Sequence, residues 1–395
     1  MRCKGIKKNC KLQAMLKKGV LCLLLFIISN PACYAQDSTG LLYRFLHDGH
    51  LGIAVNDLPG FIWAHSDQNK NIYGPGNSFE VQFIKKTTGK QPWEIKYRLP
   101  RISLALMYCD FGKPSLTGKA ISIIPQFEFG IIRKPHAELN FKLGTGLGYL
   151  TKIFDAQDNY KNITIGAPLN LAFQAMLVYH QRLYQNIELN AGFGLMHFSC
   201  GNIRLPNLGI NYPSASIGVS YFLSDPYIRQ VPLMDSLHQV LDKEKKWGYY
   251  FFGGWAYKEQ GNERFRRFDV FTLSSNFQYK MSMRSTWLAG IDVFYDKSYF
   301  YLSTPDLHNY TSARLKDNLQ SAITVGHDLK AGKISMITQL GIYTYYPYKV
   351  KKPVYERIGL KAQVYKGIFI GSFLKTHFMQ ADFVEWVAGY QFYHK

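Results

Sequence analysis

Residues 188–211 read ELNAGFGLMHFSCGNIRLPNLGIN. Taken from Ile187 with a two-residue period, the segment separates into two faces. Ile187, Leu189, Ala191, Phe193 and Leu195 form an apolar face; Glu188, Asn190, Gly192, Gly194 and Met196 form one that is polar or small. The same alternation carries His197 and Ser199 onto the end of the apolar face. In a soluble protein such a stripe packs on a core. In an outer-membrane barrel it faces lipid, and the polar face lines the lumen.

The neighbouring segments favour the barrel. Residues 137–150 alternate in the same way, with Leu139, Phe141, Leu143 and Leu147 against Glu138, Asn140, Lys142 and Gly144. Strands are expected at 77–88, 92–110, 118–133, 137–150, 165–182, 186–199 and 213–224, each long enough to cross a membrane, for which about 9–11 tilted residues suffice. A first strand is expected within His47–Val55 and Phe61–His65. Connections alternate between short (Gly89–Gln91, Lys134–His136, Leu183–Gln185) and long, polar ones (Cys109–Leu116, Thr151–Thr164, Cys200–Tyr212). Short periplasmic turns and long external loops are the habit of outer-membrane barrels. His197 and Ser199 fall at the long-loop end.

Residues 225–246 break the pattern with a charged, partly helical-looking stretch that reads as a periplasmic linker. A second strand series follows at 247–258, 265–282, 286–299, 318–329, 333–346, 354–365, 367–378 and 383–393. The fold class expected is therefore all-β: an antiparallel transmembrane barrel with about eight strands in 36–224 and about eight more in 247–395. One large barrel and two units remain open. Thr376–His377–Phe378 echoes Met196–His197–Phe198 at the end of a seventh strand, with Met379 where a serine would stand, as in a degenerate duplication.

Composition agrees. Aromatic residues make up 15% of the chain, about double ordinary usage, as interfacial girdles require. The N-terminal 35 residues read as a signal peptide: Arg2, Lys4, Lys7, Lys8, Lys11, Lys17 and Lys18, the apolar run Gly19–Ile28, then Cys33–Tyr34–Ala35 before a cleavage point. A start at Met15 would give this leader more usual proportions. Removing its seven cations from a formal charge of +20 leaves +13, which suits anionic lipid headgroups; nucleic acid does not suit an exported chain. Of six cysteines only Cys109 and Cys200 lie beyond the leader, so no disulfide scaffold is expected. The alternating glycines Gly144, Gly146 and Gly148 relieve crowding inside a barrel, and no His/Cys cluster has zinc spacing.

A histidine with serine two residues ahead carries little weight alone. Among the eleven histidines of the chain His197 is the one that has it. Outward parity, the external strand end, Pro206–Asn207 with Gly209 in the loop, and Asn211 twelve residues beyond Ser199 add to it. HFSCG followed by PNLGIN resembles the catalytic segment of the outer-membrane lipid A 3-O-deacylases, and more closely their longer Bacteroidetes relatives known as acyloxyacyl hydrolases. The resemblance spans roughly residues 45–224. It implies a serine esterase of the cell outer membrane acting on lipid A of lipopolysaccharide in the outer leaflet, with Ser199 as nucleophile, His197 as base and Asn211 where the family carries an acid. Cys200 stands where an asparagine of the oxyanion hole is usual, so the backbone N–H groups of Cys200 and Gly201, or the Asn207 side chain, would serve. Arg204, Lys152 and Lys161 lie in external loops where sugar phosphates would sit, though solvated loop charge explains them equally. No cofactor or metal is implied. The same spacing also resembles outer-membrane phospholipase A, which would take phospholipid and calcium, and a non-catalytic barrel with a decayed site is the third reading. The sequence leaves the acyl position and the oligomeric state open.

Overall fold

The computed structural model describes residues 49–64, 72–226, 246–260, 266–303, 314–349, 352–378 and 380–394. The leader, most of the linker and Met379 lie outside them. Sixteen strands form two closed antiparallel barrels of eight, which decides between the one-barrel and two-barrel readings. The first contains β1 (Gly49–Phe61), β2 (Pro75–Thr87), β3 (Arg101–Asp110), β4 (Lys119–Lys134), β5 (Ala137–Leu150), β6 (Leu169–Arg182), β7 (Ile187–Ser199) and β8 (Ile210–Phe222). The second contains β9 (Lys246–Gln260), β10 (Arg266–Lys280), β11 (Ser285–Asp296), β12 (Leu319–Ala331), β13 (Ile334–Tyr345), β14 (Val354–Tyr365), β15 (Ile368–His377) and β16 (Gln380–Tyr393). β1 closes on β8 and β16 on β9. Both barrels belong to one unit, His50–Lys395.

In the first barrel four boundaries differ by three residues or more from the sequence reading. β1 runs unbroken through Pro59, at the barrel's closing seam. The segment expected as one strand over 92–110 begins with a short helix, Pro92–Lys96, because Pro92 is preorganised for a helix start. Pro168 delays β6 to Leu169, and β8 starts at Ile210, so Asn211 is a strand residue rather than a loop residue.

The outward positions form an apolar band, with Phe193, Ile121, Leu147 and Ile217 all more than half exposed. Such a surface is at rest only in hydrocarbon. Trp63, Tyr73 and Tyr149 fringe it at the long-loop end, Tyr184, Trp247 and Trp287 at the other. Inside the first barrel the filling changes along the axis. At the short-turn end Arg101 pairs with Glu188 at 2.6 Å and Glu138 at 2.8 Å, and Lys86 with Glu138 at 2.9 Å. Gln82, Gln126 and Gln174 are bonded together at mid-height. The external third is apolar: Met107, Phe111, Ile124, Met196, Phe198 and Tyr212 pack as one cluster, where the sequence reading placed a polar lumen. Eight strands leave an interior that side chains can fill. The second barrel is filled likewise, around Arg357 with Asp292 and Glu385 at 2.6 and 2.8 Å, and Lys258 with Asp296 and Asp382 at 2.7 and 2.9 Å.

The echo at His377 has a different outcome from His197. His377 keeps the inward parity of the buried Phe369, Phe373 and Lys375 on β15, stacks on Tyr343 and approaches Asp382 at 3.4 Å. It presents no base to the outer surface.

Candidate active site

β7 delivers His197 and Ser199 to the long-loop end of the first barrel, both half-buried on the outward face. Their even-numbered neighbours Met196 and Phe198 point the other way and are buried in the apolar plug, which fixes the strand's rotation. The two faces of one strand thus anchor and present the pair. β8 runs antiparallel beside it in a register that sets Asn211 directly opposite His197.

His197 Nδ1 and Asn211 Oδ1 lie 2.7 Å apart. An amide oxygen only accepts, so Nδ1 carries the proton and Nε2 is the basic nitrogen. The Asn211 carbonyl is held in turn by the Trp63 N–H at 2.9 Å. Gly209, at φ +75°, lies under the imidazole, and a Cβ there would sit 2.7 Å from His197 Cε1. A side chain at 209 would displace the ring.

The loop after β7 folds back over Ser199. The Gly201 N–H donates to Ser199 Oγ at 3.2 Å and Asn207 Nδ2 donates to it at 2.9 Å. The Cys200 N–H is spent on Asn207 Oδ1 at 3.1 Å. That bond orients the amide so that its NH2 group faces the serine. Of the three donors considered from sequence, two converge on Ser199 Oγ and Cys200 serves as their fastener. Its own thiol donates to the Arg204 carbonyl at 3.1 Å, and burial pushes it above the usual thiol range, so it stays protonated. Both Cys109 and Cys200 are buried and free.

The distal limb of the loop is held by the 151–168 connection: the Gly209 N–H donates to the Thr164 carbonyl at 2.9 Å, and the Leu208 N–H to that of Ile163 at 3.4 Å. This support was not visible in the sequence. Asn162 and Thr164 are wholly buried and bonded to each other at 2.6 Å. Arg204, Lys152 and Lys161 carry exposed side chains on these two loops. Among the described residues no cluster of metal-ligand type occurs.

Comparison with known families places this geometry. Residues 77–220 match the lipid A 3-O-deacylase (PagL) family, and residues 245–395 match the acyloxyacyl hydrolase C-terminal domain. The second match covers the half to which the sequence reading attached no relative. No curated relative matches in sequence. Among solved structures the chain is similar to Neisserial surface protein A, at 11% identity over 43% of this chain and 96% of that one with a TM-score of 0.32. It is also similar to a triple mutant of the Rhodopseudomonas blastica porin, at 7% identity over 87% and 99% with a TM-score of 0.17. The two family matches span both barrels, and the chain belongs to the lipid A 3-O-deacylase family of ester hydrolases, with an acyloxyacyl hydrolase C-terminal domain as its second barrel.

Proposed function

We propose that the protein is an outer-membrane serine esterase that removes an ester-linked acyl chain from lipid A in the outer leaflet. The observation that carries this reading is the placement of His197 and Ser199 two residues apart on one outward strand face, His197 held by Asn211 and Ser199 Oγ held by the Gly201 and Asn207 N–H groups. A lipid ester reaches such a site sideways, without leaving the membrane. His197 Nε2 takes the proton of Ser199, and Oγ attacks the acyl carbonyl. The developing oxyanion lies next to Oγ, within reach of the two N–H donors already aimed there. Collapse releases the sugar hydroxyl, which takes its proton from His197. Water then attacks the acyl-enzyme through the same base and frees the fatty acid. Arg204, Lys152 and Lys161 supply positive charge where the phosphates of lipid A would lie.

Mass spectrometry of lipid A from cells with and without the gene tests the reading, with Ser199→Ala as the matched control. Loss of one acyl chain in the wild type only is expected, and its mass and position identify the ester. Unchanged lipid A would overturn it. The amide of Asn211, in place of an acid, favours one second reading, a phospholipase A; in that case lysophospholipid would accumulate and the lipid A would stay intact.

A further inference from the structure

The proximal limb of the nucleophile loop, residues 200–205, is held from outside its own barrel. The Leu205 N–H donates to Glu259 Oε2 at 3.0 Å, and the Glu259 N–H donates to the Asn202 carbonyl at 2.9 Å. Glu259 closes β9 of the second barrel, is 5% exposed, and takes Arg267 Nε on its other oxygen at 3.1 Å. Asn202 Nδ2 donates to the Ala381 carbonyl in β16. Its Oδ1 accepts from Asn207 Nδ2 at 3.3 Å, the same group that donates to Ser199 Oγ. Gly201 is pressed so closely on β16 that a Cβ would overlap Val384 Cγ2. A continuous set of contacts therefore leads from the wall of the second barrel to the nucleophile.

The conformation being held is one of several open to a free Gly–Asn pair. Gly201 and Asn202 both have positive φ, +59° and +64°. Glycine and asparagine tolerate that backbone without being confined to it, so the contacts from the second barrel select it. It is also what turns the Gly201 N–H toward Ser199. Oxyanion donors must be held to within about half an ångström to be effective, and a displacement of about 1 Å is worth about 100-fold in rate.

We propose that the second barrel is the positioning element of the first barrel's active site: Glu259 and the Ala381 carbonyl, acting through Asn202, set the Gly201 and Asn207 donors against Ser199. This rests on the esterase reading for its catalytic consequence but not for the bracing itself. Glu259 and Asn202 are positioning residues; neither touches the reacting atoms.

The test uses the full chain in detergent micelles. Glu259→Ala should lower kcat about 10- to 100-fold with KM nearly unchanged, and should speed amide hydrogen exchange of residues 200–207 about tenfold or more. Glu259→Gln keeps an acceptor for the Leu205 N–H and should restore both to within about threefold. Gly201→Ala should be impaired by its overlap with Val384. Adding Val384→Ala, which removes the overlapping methyl groups, should recover part of the loss. Exchange of residues 200–207 unaltered by Glu259→Ala overturns the bracing, whatever the activity. Faster exchange with wild-type kcat overturns the catalytic consequence. A wild-type protein that releases no acyl chain sinks the esterase reading, and the exchange result then decides the bracing alone.

Discussion

Ser199→Ala should abolish acyl release while leaving the barrel intact, because one hydroxyl at a strand end contributes little to closure. His197→Asn should do nearly the same, as read by fatty-acid release from lipid A micelles; wild-type activity in either variant would sink the assignment. Asn211 separates the two enzyme readings. Its oxygen fixes the imidazole tautomer at 2.7 Å, so Asn211→Ala should lower turnover clearly, though less than Ser199→Ala. The ceiling is about ten-thousandfold, the loss seen when a triad histidine is held in the wrong tautomer. Asn211→Glu should keep or raise activity in a deacylase, with a chelator present; a phospholipase-type site should be damaged by it and should fail without calcium. Equal activity in all three proteins would send the search for a third member elsewhere. The sequence put His197, Ser199 and Asn211 on one face because strand parity is a local property, and the register that sets Asn211 opposite His197 agrees with that parity. Glu259 gave no such signal: it lies 54 residues from Leu205, in another barrel, and nothing in its neighbourhood marks it.

Strands were legible wherever alternation was clean, and β5 falls where the pattern put it. Departures occur where a proline overrides the period, as at Pro92 and Pro168; His377 follows the period, whose inward face on β15 is the odd-numbered one. Loops were the opaque part, since their order comes from buried bonds rather than periodicity. Asn162 is the clearest case. Its Nδ2 donates to the Leu116 carbonyl at 3.1 Å and to that of Lys152 at 3.4 Å, tying two connections together beneath the site. Asn162→Ala strips these partners, at about 1–3 kcal/mol for buried groups left unpaired. The expected result is faster proteolysis within 151–168 and several-fold lower activity in a barrel that still migrates normally. Unchanged proteolysis would show that the loop is held by other means.

For the molecule as a whole, the apolar band and closed ladders predict recovery with outer membranes and a shift in gel migration between boiled and unboiled samples. Recovery as a soluble periplasmic protein would remove the basis of the membrane reading. Sequence marked two strand series but could not tell one barrel from two, because closure depends on which distant edges meet. The interior charges are a second property of the whole. Arg101→Ala would strand Glu188 in the first barrel, whose remaining neighbours are the His180 imidazole at 3.9 Å and the Lys86 ammonium at 4.0 Å. Breaking a buried pair by removing one partner costs about 3–5 kcal/mol. A lower urea midpoint for the variant refolded in lipid is expected, and an unchanged midpoint would mean that Lys86 takes over.

Those same ion pairs constrain the order in which the protein can assemble. Arg101 on β3 finds its partners 37 and 87 residues later, on β5 and β7, and Lys258 on β9 meets Asp382 on β16, 124 residues on. None of these pairs lies within a single hairpin. A hairpin entering the bilayer by itself would carry a bare cation into hydrocarbon, at about 2.5–3.5 kcal/mol even by the mildest scale. Several strands of each barrel must therefore be in place before these cations leave water: Arg101 needs β5 and β7, and Lys258 needs β11 for Asp296, with Asp382 on β16 completing its pairing. A chain cut short before β16 would leave Lys258 with one of its two carboxylates.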